Sequence, residues 1–373
     1  MSQEERSDHP QSVRPDAVGS SAPAAVAPQR WTVRSLLGWI VPFLKEREID
    51  SPRTIAEVLL AEVLKVERLR LYMEPDRELA PDELAALRGL VARAGRHEPV
   101  QFLVGRWPFL GRDFEVAPCT LIPRPCTETL VEHALQWYRE RGAGPVRVLD
   151  LCTGSGCIAV SLALGMKAIL RPEGVGCRPI SATEAGRATE DSFPLDGGGR
   201  DADDSAEGPR AEPDTSAGTV ASPRQIHVVA TDVVPEAVAL ARRNAARHGA
   251  SVDFRCGDLW SAVPGRERFD LIVSNPPYVT DGEYEALDRN VKEYEPATAL
   301  RGGRDGLDIV RRVVAGAEGH LAHGGLLVVE IGWKHREAAL ALVAGGSWHQ
   351  ATVLKDGDGI DRVLSVRRSG VAE

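Results

Sequence analysis

The run Phe269-Asp270-Leu271-Ile272-Val273-Ser274, followed at once by Asn275-Pro276-Pro277-Tyr278, constrains this 373-residue chain more than any other stretch. A short, nearly continuous apolar segment predicts a strand buried on both faces, as in a parallel sheet. Two prolines cannot continue a ladder, because proline has no N–H to donate. The strand therefore stops at Asn275 and presents it at a carboxyl end, where open α/β sheets place their ligands. The Asn275 side-chain carbonyl can accept one hydrogen bond from an –NH2 group, and the Pro276 carbonyl a second. With the ring of Tyr278 beside them to stack on a planar group, these residues predict a holder for an amide or an exocyclic amine. A strand-ending turn with a buried tyrosine is the plainer alternative.

Around this strand the chain alternates between short apolar runs and helical periodicity. Strands are expected at Val146–Asp150, Ile226–Asp232, Val252–Cys256, Leu326–Ile331, Ala351–Leu354 and Val363–Val366, the last two close enough to pair as an antiparallel hairpin. Helices are expected from Ile158, over Pro235–His248 with Gly249 ending it, over Gly306–Ala317 and near His335–Val343. This alternation predicts an α/β, Rossmann-like domain: a mostly parallel sheet with helices on both faces. Before it, Leu36, Leu37, Ile40, Val41 and Leu44 share one helical face, and two similar stripes follow in 56–64 and 84–91. The domain plan is then a disordered tail at 1–30, a small all-helical domain at 31–108 that recognises substrate, a hairpin or linker at 109–127, and the α/β domain at 128–373. Residues 168–224, rich in Asp, Glu, Ser, Pro and Gly with almost no aromatics, read as a disordered insertion between the first helix and the second strand of that domain.

Asp150-Leu151-Cys152-Thr153-Gly154-Ser155-Gly156 joins a carboxylate at a strand end to a glycine turn that opens a helix. It is neither the full G-x-G-x-x-G pattern nor a phosphate-binding P-loop. Asp232, at the next strand end, can accept both hydroxyls of an adenosine ribose, although alone it would equally be a helix-capping acid. Asp258 after the third strand can accept from an adenine amine, with Leu259 or Trp260 against the base. A cradle (Asp150, Cys152, Thr153, Gly154, Ser155, Gly156), a ribose acceptor and an adenine edge together fit S-adenosyl-L-methionine, with Asn275 closing the same site.

The net charge of −9 argues against free duplex DNA as the main partner and suits a protein substrate. No run approaches the length of a membrane span, and the polar, acidic start lacks the features of a signal peptide, so a cytoplasmic protein is expected. The six cysteines form no C-x-x-C pair and read as free thiols. His227, His248 and His323 show no metal-ligand spacing, and no metal is expected.

The glycine loop 150–159, the stretch Ser274-Asn275-Pro276-Pro277-Tyr278-Val279 and the block Leu121-Ile122-Pro123-Arg124-Pro125-Cys126-Thr127-Glu128 resemble the HemK/PrmC protein-glutamine methyltransferases. Glu98-Pro99, Gly105, Phe109, Gly111, Glu295-Pro296, Leu300, Asp305-Gly306 and Asp361-Arg362-Val363 match the flanking stretches, so the resemblance spans about Trp31 to Arg368 apart from the insertion. It implies a helical N-terminal domain on a Rossmann-like methyltransferase domain, and methylation of a glutamine side-chain amide nitrogen. For the PrmC branch, the target is the glutamine of the Gly-Gly-Gln loop in class I peptide-chain release factors; a monomer without direct nucleic-acid binding is expected. Asn275, Pro276, Pro277 and Tyr278 are the expected catalytic residues. Three departures stand out: Cys152 replaces a common glycine, Cys126 replaces the usual glutamate of Arg-Pro-Glu-Thr-Glu, and the insertion separates the glycine loop from Asp232. Arg124 suits a salt bridge or a ligand contact, and Glu128 a cap for a helix beginning near Thr127. The rival readings are a glutamine methyltransferase acting on a ribosomal protein, an amino-methyltransferase acting on nucleic acid, and a non-catalytic adenosyl-binding protein.

Overall fold

The computed structural model describes residues 30–170, 225–265 and 267–370. Two compact units divide between Ala92 and Arg93. In the first, α1 (Val33–Lys45) starts at Thr32, whose hydroxyl and that of Ser35 form a reciprocal capping box. With α2 (Pro52–Leu64), α3 (Arg68–Met73) and α4 (Pro81–Ala94) it buries Leu36, Ile40, Leu44, Leu59, Leu60 and Leu87, the faces read from the periodicity. Arg30, expected in the tail, is described and pairs with Glu78 at 2.9 Å. The expected tail otherwise lies outside the described residues, as does 171–224 of the expected insertion. Residues 168–170 are the last turn of a helix rather than the start of a loop.

The second unit begins earlier than the expected 109–127 linker. It takes in α5 (Val100–Val104) and a hairpin of β1 (Arg106–Phe109) and β2 (Arg112–Glu115). Next come α6 (Pro125–Glu140), β3 (Val146–Leu151), α7 (Cys157–Leu170), β4 (Ile226–Asp232), α8 (Pro235–His248), β5 (Asp253–Cys256) and β6 (Phe269–Ser274). Three short helices follow, α9 (Asp281–Glu285), α10 (Arg289–Lys292) and α11 (Ala297–Leu300). The unit closes with α12 (Asp308–His320), β7 (Leu321–Glu330), α13 (Arg336–Leu342), β8 (Trp348–Lys355) and β9 (Asp361–Arg368). Seven strands form one sheet in the order β5-β4-β3-β6-β7-β9-β8, parallel except for β9, which runs antiparallel to both of its neighbours.

Alternation within the strands builds a core on each face. Val146 and Val148 join a cluster with Leu130, Ile158 and Val238, while Leu149 and Leu151 join Val310, Val313 and Ala339 on the other side. The chain leaves β3 toward β4 and β5, then returns to place β6 on the other side. The β3/β6 carboxyl ends are therefore the topological switch point, where ligands bind in such sheets. The parallel pair Leu151–Ser274 sets Cys152 and Asn275 side by side there.

Candidate active site

A cleft enclosing about 970 Å³ of space, its open mouth included, lies over this switch point, and every residue lining it belongs to the second unit. Cys152, Thr153, Gly154 and Ser155 line it together with the carboxylates Asp232 and Asp258, the apolar side chains of Leu259 and Ile309, and Asn275 and Pro277.

Each expected residue has a definite place. The half-buried Asp232 carboxylate accepts the Gly154 N–H at 2.9 Å and the Val234 N–H at 3.0 Å, which aims it across the glycine turn. Burial pushes its pKa up, opposed by those backbone donors. Gly154, with φ of +55°, adopts a left-handed conformation that favours glycine, and a side chain there would make only ordinary contact with Cβ of Thr120 at 4.0 Å. Cys152 also adopts a left-handed φ of +61°, the conformation in which glycine is unstrained, and this accounts for the glycine the resemblance expects there. Asp258 lines the cleft while pairing with Arg312 at 2.7 Å.

Three expected contacts are not made. Asp150 is fully buried beneath the loop, where its carboxylate accepts from the Thr153 hydroxyl at 2.6 Å; burial pushes its pKa up to about 7. Gly156 does not line the cleft. A side chain there would meet Cβ of Ala241 at 2.9 Å, so this glycine lets α8 pack against the loop. Trp260 turns away from the base-side wall, donates from Nε1 to the Arg312 carbonyl at 2.8 Å and stacks on His320.

At the acceptor end, Asn275 donates from Nδ2 to the Thr127 hydroxyl at 3.2 Å. With the amide nitrogen engaged by α6, the carbonyl oxygen is the atom left to receive a donor. Pro276 is buried, and Tyr278 is half-buried with its hydroxyl donating to Glu330 at 2.9 Å. Tyr278 does not line the cleft as the stacking role expects; Glu330 holds it by its hydroxyl instead. Arg124 lines the cleft and forms an ion pair with the buried Glu295, which also accepts the Ile122 N–H at 3.0 Å. Glu128 is not a cap: α6 starts at Pro125, and Glu128 accepts the Leu110 N–H at 2.8 Å in the hairpin turn. No group of His, Cys, Asp and Glu among the described residues could hold a metal.

Comparison with known proteins agrees with this geometry. Residues 35–105 match a family model described as PrmC N-terminal domain, and residues 216–294 match one described as methyltransferase small domain. The chain is 38% identical to the release factor glutamine methyltransferase of Geobacter sulfurreducens, over 91% of this chain and 98% of that one. It belongs to the release factor glutamine methyltransferase family. The proteins of the same name from Koribacter versatilis, at 35% identity over 90% of this chain and 99% of that one, and Nitratidesulfovibrio vulgaris, at 32% over 91% and 96%, agree.

The family's cofactor is S-adenosylmethionine, and the cleft suits it: it is lined by a carboxylate held at a strand end, a glycine turn, and the apolar side chains of Leu259 and Ile309. Sequence reasoning missed much of the lining, namely Cys119, Thr120, Thr298, Ala299 and Ile309. No spacing relates these to the glycine loop. Only the Ile-Pro-Arg-Pro block signalled that the segment after the hairpin reaches the site.

Proposed function

We propose that this chain transfers the methyl group of S-adenosylmethionine to the side-chain amide nitrogen of the glutamine in the Gly-Gly-Gln loop of class I release factors. On this reading the protein works in the cytoplasm as a monomer, with the release factor as its partner. The observation that carries the reading is the Asn275–Thr127 hydrogen bond, because it commits the asparagine nitrogen and leaves the carbonyl as an acceptor beside the cleft.

An amide nitrogen is a poor nucleophile, its lone pair being delocalised into the carbonyl. Holding both of its hydrogens fixes the nitrogen in place and favours the positive charge that develops there. Asn275 Oδ1 accepts one hydrogen and the Pro276 carbonyl the other. Pro277, on the cleft wall, helps seat the amide, and Tyr278, anchored at its hydroxyl, limits how far the loop can move. Asp232 accepts from the ribose hydroxyls; Asp258, Leu259 and Ile309 flank the base; Cys152, Thr153, Gly154 and Ser155 support the rest of the cofactor. When bound, the cofactor supplies an electrophilic methyl on a sulfonium. The proton leaves to water after transfer.

Peptide mapping of a release factor incubated with the protein and cofactor tests the reading. One added methyl on the Gly-Gly-Gln glutamine is expected; a methyl elsewhere would redirect it.

A further inference from the structure

Glu330 is the last residue of β7, is fully buried, and belongs to no motif read from the sequence. In the sheet, Ser274 pairs with Val329, so the next residue on each strand brings Asn275 and Glu330 to the same level. Both follow the parity of Val273 and Val328, which face the helical layer containing α6. There the first turn of α6 meets them. Thr127 accepts from the Asn275 nitrogen, Cys126 Sγ approaches Glu330 Oε1 at 4.0 Å, and burial pushes the Glu330 pKa up. The same Oε1 accepts from the Tyr278 hydroxyl at 2.9 Å. The two cations that act on this carboxylate, Arg362 and Arg124, are themselves paired with Asp356 and Glu295. Glu330 Oε2 is buried with no protein partner.

A buried carboxylate with one oxygen unpartnered costs stability, and a neutral or apolar side chain would fill the space at lower cost. What the carboxylate adds is a fixed point between the two ends of Asn275-Pro276-Pro277-Tyr278. We infer that Glu330 is a positioning residue for methyl transfer, holding Tyr278 directly and meeting the first turn of α6, whose Thr127 holds Asn275, so that the two amide acceptors keep their spacing while substrate binds. This rests on the proposed role of Asn275 and goes beyond it by identifying what aims that residue.

Glu330→Gln keeps the shape and replaces the carboxylate with an amide. The expected result on the full-length protein is a fall in kcat of about tenfold or more, with the cofactor Kd within about threefold and the thermal midpoint unchanged or raised. Tyr278→Phe, which removes only the hydroxyl, should lower kcat too, and the double variant should be little worse than the worse single one. The chain has three asparagines, Asn244, Asn275 and Asn290, so selective 15N-asparagine labelling reads the clamp without any substrate. In Glu330→Gln the side-chain NH2 signals of Asn275 should shift or broaden while those of Asn244 and Asn290 stay in place. Unchanged Asn275 signals would overturn the inference even if the wild type proved to act on another substrate. So would fully additive kinetic losses in the double variant, or a kcat loss accompanied by an equal loss of stability. Wild-type protein that transfers no methyl to a release factor, with Asn275 still responding to Glu330→Gln, would overturn the proposed substrate and leave the positioning role standing.

Discussion

At the scale of single residues, the site separates groups that face ligand from groups that shape the loop, although the sequence sets them side by side. Asn275→Ala removes one of two proposed acceptors without touching the ribose or base contacts. Turnover on the protein substrate should fall about 10²–10³-fold, with cofactor affinity nearly unchanged, as steady-state kinetics and calorimetry would show. Nearly intact turnover would remove Asn275 from the mechanism. Asp150 illustrates the opposite case. Its pKa is pushed up to about 7, by burial first and then by the neighbouring Asp232 charge, against the Thr153 hydroxyl. A folded-state pKa above the unfolded one means the folded chain holds the proton longer. The associated stability is complete below about pH 4 and is lost as pH rises to about 7. Asp150→Asn removes that slope, so thermal midpoints of variant and wild type should diverge between pH 5 and 8, the variant gaining about 2–4 kcal/mol at the upper end. Parallel pH curves would contradict a protonated, buried Asp150.

Among the elements, α8 is the strut that joins hairpin to glycine loop. Asn244 on α8 is fully buried; it accepts the Glu115 N–H at 2.8 Å and donates to the carbonyls of Glu115 at 3.0 Å and Ser155 at 2.9 Å. Asn244→Ala strands those groups and should cost about 2–4 kcal/mol in a denaturant titration. Gly156→Ala meets both a φ of +80° and the Ala241 contact, and should cost about 2–3 kcal/mol with weakened cofactor binding, since the loop itself must shift. What could be read in advance follows from the same physics. β6 matches its expected bounds because two prolines cut the ladder sharply. β8 and β9 do form an antiparallel pair, but β9 lies inside the sheet against β7. The helices α9 to α11 went unread because four or five residues are too few to show a period. Of the alternatives Leu259 and Trp260, only Leu259 lines the cleft, because the 3₁₀ turn Leu259–Ala262 sends adjacent side chains in different directions. Glu330 could not be found at all: its partner Tyr278 is 52 residues away, and one acidic residue ending an apolar strand has no signature.

For the whole molecule, the second unit carries every residue of the cleft, and the first is a separate helical body whose family match is distinct. Among the described residues no helix is long and apolar enough to cross a membrane. The fold class, a helical N-terminal region before a mostly parallel sheet, was legible because helical and alternating periods change along the chain. The division between the units falls earlier, between Ala92 and Arg93, while the N-terminal family match runs to residue 105; the hairpin strand β2 packs on α8 through Glu115–Arg243 and Phe114–His248, a link no local pattern reveals. The central claim concerns the molecule acting on another protein, and labelled methyl transfer to a purified release factor tests it most directly, with the Gly-Gly-Gln glutamine intact or changed to alanine. The account predicts label on the intact factor and none on the alanine variant. Equal label on both, or none on either while cofactor still binds, would contradict it.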